Sequence, residues 1–149
     1  MSEPASLKTP AVRWEPGVEL PPLAKDPITK VQLVKYAGAS GDYNLIHTDD
    51  ETARRVGLDG VIAHGMLSMG FLGQYLVHLA GPENVRSLKV RFRQMVRPGD
   101  VLTCKGRVAE VTEEPGGCRR VRLEVWAENQ KGEAVTTGEG EVLVPAGSS

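Results

Sequence analysis

An acid, an amide and an imidazole stand within six residues of one another, as Asp42, Asn44 and His47. A carboxylate beside an imidazole can divide general-base and general-acid duties near neutral pH. On a helix, five residues would set Asp42 and His47 about 140° apart, so they converge on one small molecule only where the chain is not helical. Gly41 upstream ends a helix, and Thr48 downstream is placed to start one. The bland alternative is that Asp42 and Asn44 are turn formers and His47 a satisfied loop histidine. Spacing alone leaves both readings open.

A second setting lies eighteen residues past His47, where His64-Gly65 opens a long apolar stretch. The first turn of a helix presents unpaired backbone N–H groups and a positive dipole end, which suit a developing oxyanion. A glycine there lets a ligand approach the backbone. A plain helix start with His64 as a weak cap accounts for the same residues. Ser68, one turn further, either points to that place or bonds back to its own helix. His78 lies near the far end of the stretch, where packing and the dipole explain it. Lys89, Arg91 and Arg93 form a row of cations that either meets phosphate or is a solvated sheet face.

Other chemistry is not indicated. The chain carries no Walker-type or G-x-G-x-x-G loop and no nucleophile elbow, so neither a nucleoside triphosphate nor a dinucleotide is expected. Three scattered histidines and two cysteines, Cys104 and Cys118, have no zinc spacing, and no metal or cofactor is expected. The cysteines read as reduced packing residues. The net charge of −1 and an ordinary charged fraction give no reason to expect nucleic acid or a membrane surface as partner. The apolar run from Gly65 to Ala80 is shorter than the ~18 residues of a membrane span, and the N-terminus does not read as a signal peptide. A cytoplasmic protein forming one domain over residues 1–149 is the expectation.

The elements that must position these groups follow from pattern. Six prolines within residues 1–27 exclude a helix and allow at most an edge strand near Val18–Leu20. Residues 1–12 should be a loose arm pinned by Trp14, and residues 146–149 a tail. Thr29 is placed to cap a helix carrying Val31, Leu33, Val34 and Tyr36, which Gly38, Ser40 and Gly41 end. Thr48 and Glu51 have capping-box spacing for a short helix from Asp49 to Val56. From Gly65 apolar residues cover most of a helix about 24 Å long, which should be buried, with Gly70 and Gly73 admitting a close neighbour. Period-two patterns then predict strands over 88–93, 101–111, 118–128 and 134–144, with Gly138 and Gly140 making room on one face. Turn-rich links between them suit an antiparallel meander. The class is α+β, with the sheet wrapped around the one long apolar helix.

Tyr36 to Asp49 resembles the hydratase motif of the MaoC-like, (R)-specific enoyl-CoA hydratases. Ile62 to Leu67 resembles the start of that family's central helix, and Val90-Arg91-Phe92 through Arg97-Pro98-Gly99-Asp100 its following strand and turn. The likeness covers about residues 29 to 143 and is greatest to the single-hotdog (3R)-hydroxyacyl-ACP dehydratases. Leu45 stands where the family usually has proline, which removes no reacting group. The resemblance implies a hotdog fold and a homodimer, or a heterodimer with a related subunit, with sites at the interface. It implies water addition to trans-2-enoyl thioesters of CoA or acyl-carrier protein, or the reverse dehydration. Asp42 and His47 would hold the water, Asn44 would orient the site, and Gly65, with His64 and Ser68 beside it, would meet the thioester. Lys89, Arg91 and Arg93 are candidates for the CoA phosphates. Two rivals are a hotdog thioesterase, disfavoured because residues 65–80 hold no Asp or Glu, and a non-catalytic acyl-thioester-binding subunit, which would not need the acid–imidazole pair.

Overall fold

A computed structural model describes residues 9–145; the expected tail at 146–149 and most of the expected arm lie outside the described residues. The arm ends in an anchored segment. Val12 and Trp14 are buried against Leu79 and Val144, so the chain is held from Val12 onward. The segment after it runs along the sheet edge, where Gly17 and Leu20 donate to the carbonyls of Val108 and Gly106. Pro21 and Pro22 cannot continue such a ladder. The expected strand at Val18–Leu20 is therefore reduced to one bridge, Glu19 to Arg107, and the strand proper is β1, Leu23–Ala24.

Helix α1 spans Lys30–Ser40, with the Thr29 side chain capping Gln32 N–H and Gly41 closing the end in the left-handed region. A one-turn 3-10 helix at Leu45–His47 follows, capped by the Asn44 side chain. Helix α2 is Asp50–Arg55. Its cap is Asp49, which accepts from Thr52, and not Thr48 as the Thr48/Glu51 spacing suggested. The two capping patterns overlap by one residue, and the carboxylate is the stronger acceptor.

Helix α3, Gly65–Ala80, is the axis of the molecule and packs on strands β2 Val85–Phe92, β3 Thr103–Glu114, β4 Cys118–Glu128 and β5 Ala134–Pro145. It is not buried all round. Leu67, Phe71, Leu72, Tyr75, Leu76 and Leu79 enter the core, whereas Met66 and Val77 are exposed on the other side. Nor does a backbone approach Gly70, which has nothing within 4 Å, or Gly73, which meets only the tip of Leu88. The close approaches lie on β5 instead. A Cβ at Gly140 would come within 2.8 Å of Leu76, and one at Gly138 would collide with the backbone carbonyl of Lys89.

The sheet is antiparallel with order β1-β3-β4-β5-β2. Strands β3, β4 and β5 form the expected meander, but β2 lies beside β5 and not beside β3. The link between β2 and β3 is therefore a crossover, and its turn at Arg97–Asp100 is hydrogen-bonded to Ile28, in front of α1. Along β4 the buried residues Val121, Leu123, Val125 and Ala127 alternate with partly exposed ones, so one face is dry. Register shifts in β2, β3 and β5 help the sheet curve over α3. The hydroxyl of Tyr75 donates to the Pro21 carbonyl and ties the N-terminal segment to the helix.

Candidate active site

The loop from Gly41 to Asn44, the 3-10 turn and the entry to α3 bring the candidate residues together. His47 is 8% exposed, and its Nδ1 lies 2.8 Å from the carbonyl oxygen of Ile62. A carbonyl only accepts, so Nδ1 carries the proton and the neutral ring has its lone pair on Nε2. That Nε2 is 3.9 Å from Oδ2 of Asp42. The separation is too long for a hydrogen bond and short enough for one water to touch both atoms. The other carboxylate oxygen accepts from the Asn44 N–H, which fixes which oxygen faces the imidazole.

Asn44 lies at the start of the 3-10 turn, with its side-chain oxygen on the Ile46 N–H. It shapes the loop that carries the pair. His64 makes no side-chain cap on α3; its ring stacks on His47 with centroids 3.9 Å apart, touches Tyr36 at 4.8 Å, and points Nε2 at the Asp42 carbonyl, 3.1 Å away. Ser68 donates its one hydroxyl proton to the Gly65 carbonyl, so Thr136 must be the donor in the 2.7 Å contact between the two hydroxyls. The N–H of Gly65 has no partner among the described residues and remains a free donor at the helix start. Phe92 packs over this glycine, and a Cβ here would lie 3.3 Å from the ring.

A cavity of about 380 Å³ is walled by His47, His64, Gly65 and Ser68 on one side and by Phe92, Arg93, Met95 and Thr136 on the other, while Asp42 and Asn44 lie outside its lining. The second wall has little sequence signature. Arg93 reads as part of a basic row, yet it lies beyond the end of β2 and borders both this cavity and a larger groove on the outer sheet face. Lys89 and Arg91 line that outer groove alone, with Arg107 and Trp126. Most neighbouring cations there are paired, Arg107 with Glu124, Arg120 with Glu114 and Glu141, and Arg122 with Glu110 and Glu139. Among the described residues Lys89 and Arg91 make no ion pair.

Asp42, His47 and His64 place three donor atoms within 4.8 Å of one another. As the side chains stand, His64 Nε2 and His47 Nδ1 are occupied by backbone carbonyls. That leaves the Asp42 carboxylate, His47 Nε2 and the buried, partnerless His64 Nδ1. What the arrangement offers is two facing proton acceptors, of which His47 lines a cavity that also holds the free backbone donor of Gly65.

Residues 15–136 match the family model described as MaoC like domain. The chain is 35% identical over 130 residues to the 3-hydroxybutyryl-CoA dehydratase of Methylorubrum extorquens, covering 86% of this chain and 80% of that protein. It is 33% identical over 121 residues to the (R)-specific enoyl-CoA hydratase of Rhodospirillum rubrum, covering 80% and 81%. Among solved structures it superposes on the unliganded R-hydratase PhaJ1 of Pseudomonas aeruginosa with a TM-score of 0.79, at 30% identity and with 93% and 87% of the two chains covered. It also superposes on a chain of the ChsH1–ChsH2 complex of Mycobacterium tuberculosis, with a TM-score of 0.75 and 87% and 98% covered; at 23% identity that likeness shows the fold alone. The hotdog fold is thereby established, and no helix among the described residues is long and apolar enough to cross a membrane.

Proposed function

This chain belongs to the MaoC-like domain family, and from that premise we propose that it adds water across trans-2-enoyl thioesters and runs the reverse dehydration of (3R)-hydroxyacyl thioesters. The observation that carries the reading is the approach of His47 Nε2 to Asp42, two acceptors facing each other at 3.9 Å. A water between them donates one hydrogen to each, and its oxygen lone pair is then turned away from both, toward C3 of a bound enoyl chain.

Attack forms the C3–O bond while one member of the pair takes a proton from the water. The C2=C3 π electrons move onto the thioester oxygen, where the free N–H of Gly65 accepts the growing charge as a hydrogen-bond donor. The pair then delivers a proton to C2, the carbonyl re-forms, and the enzyme ends with the protons it began with. The two groups share one water, so their titration belongs to the pair and no separate acid and base are assigned. Asn44 holds the loop in shape, and Ser68 with Thr136 fixes the cavity floor below Gly65. His64 borders the same cavity.

The thioester is carried by CoA or an acyl-carrier protein, whose phosphates meet Lys89, Arg91 and Arg93. The uncompensated charge of the first two and the position of Arg93 between groove and cavity support that assignment. A second hotdog subunit, a copy or a relative, completes the site. Phe92 and Met95 line the cavity yet stay 53% and 51% exposed, and β2 is an edge strand with one side unpaired. The subunit works in the cytoplasm.

Incubation of the purified chain with a trans-2-enoyl-CoA tests the reading. The enoyl absorbance should fall, and an (R)-specific dehydrogenase should oxidise the product. Release of free thiol without a hydroxyacyl product would point to a thioesterase, and no turnover with any chain length to a non-catalytic subunit.

A further inference from the structure

We infer that His64 is a positioning residue, which holds the Asp42 loop in register with His47 by donating its Nε2–H to the Asp42 carbonyl. The inference rests on the acid–imidazole reading above and concerns how that pair is kept at its separation.

The two members of the pair are anchored very differently. His47 is buried, and its turn is stitched to the segment before α3 twice, by Nδ1 to the Ile62 carbonyl and by the Ile62 N–H to the Ile46 carbonyl. Asp42 is half exposed, at 52% of its side chain, and follows Gly41 in the left-handed conformation that ends α1. Its other hydrogen bonds are local: its N–H goes to the Ser40 hydroxyl at 3.2 Å, and its carboxylate accepts from the Asn44 N–H at 3.3 Å. Such bonds set the shape of the loop and leave its placement undetermined. Among the described residues, only the 3.1 Å hydrogen bond from His64, 22 residues away, ties Asp42 to another element.

His64 is fitted for that task. It is 2% exposed, and its ring is clamped between His47 and Tyr36. The carbonyl partner requires the proton on Nε2, and Nδ1 is buried without a partner. Neither nitrogen is free to exchange a proton with a substrate. Because His64 follows Ile62 by two residues, one short stretch of backbone sets the position of both reacting groups.

The test compares His64→Phe, which keeps the ring and loses the donor, with His64→Gln, whose amide nitrogen reaches the place of Nε2. His64→Phe should lower kcat about 10- to 100-fold, as expected when a reacting group drifts by about 1 Å, with KM changed by less than about twofold. His64→Gln should recover at least tenfold of that loss. Equal losses in the two variants would assign His64 to packing and overturn the inference, as would a His64→Phe enzyme with more than half the wild-type kcat. Asp42→Asn is assayed beside them: if that variant stays active, it is the acid–imidazole reading that fails. Should His64→Phe not fold, the two-bond 15N–1H spectrum of the wild-type histidines decides. An Nε2–H tautomer for His64 supports the latch, and an Nδ1–H tautomer overturns it.

Discussion

His47 gives its Nδ1 proton to the carbonyl of Ile62 and so turns an unprotonated Nε2 toward Asp42. A backbone atom thus selects the tautomer on which the proposed chemistry depends. Asp42→Asn, which keeps size and cannot take a proton, and His47→Ala should each lose 10²–10⁴-fold in kcat/KM, or roughly 3–5 kcal/mol of barrier. Because both act on one water, the double variant should be scarcely slower than the slower single one. Retention of more than about a tenth of the activity by either single variant, less than ~1.4 kcal/mol lost, would end the paired mechanism.

Lys89 and Arg91 are half-free cations on a face where the charges around them are paired. Replacing either with alanine should raise KM for CoA substrates about two- to fivefold, the reach of an exposed charge, and leave kcat alone. The effect should shrink at high salt. Arg122→Ala serves as the control, since Glu110 and Glu139 already engage that side chain. An unchanged KM in both test variants would return the row to a solvated face.

Burial pushes the Cys104 thiol up to about 11, and the residue is fully covered. Alkylation of the folded protein near pH 8 should therefore stop at one label, on Cys118, which is partly exposed at the start of β4. Mass spectrometry of the tryptic peptides reads the site, and rapid labelling of Cys104 in the native protein would contradict the packing of β3 against α3.

Gly138→Ala should destabilise the protein by about 1–3 kcal/mol, the usual cost of overpacking. The added methyl would press on the backbone carbonyl of Lys89, which cannot rotate away as a side chain can. Denaturant midpoints measure the loss. An unchanged midpoint would mean that β2 does not lie this close to β5.

Hydrogen bonds from Lys30 and from the Val61 N–H hold the Asp50 carboxyl below its ordinary value of 3.8. A group with a depressed folded-state pKa stabilises above the unfolded value and loses that contribution as pH falls through the folded one. Wild-type protein should thus be more stable than Asp50→Asn at neutral pH, and the gap should close below pH ~4. Thermal unfolding across that range gives the comparison, with a pH-independent gap as the contrary result.

Much of this was legible where the signals are local. The Thr29 cap, the bounds of α3 between Gly65 and Gly81, and the hairpin turns flanking β4 are written in adjacent residues, and the chain follows them. The seat of β2 was not, because Arg97-Pro98-Gly99-Asp100 has the composition of a hairpin turn. The link is a crossover because β2 pairs with β5, a strand about forty-five residues later, and its turn bonds back to Ile28. The same limit applies within the site. Asp42 and His47 stand out by side-chain type, whereas the Ile62 and Asp42 carbonyls that orient the imidazoles belong to groups every residue carries. Thr136 gave no signal either, since a threonine in a strand is unremarked until the fold brings it onto Ser68.

The two walls of the cavity come from distant parts of the chain. His47, His64, Gly65 and Ser68 form one wall, and on the proposed reading Phe92, Met95 and Thr136, on the other, set the room available to an acyl tail. On that reading chemistry and molecular size are under separate control. A change at Phe92, at the very end of an edge strand, can widen or narrow the space without disturbing a bond that fixes the imidazoles, so one scaffold can be retuned from short acyl chains to long ones while its reaction stays the same.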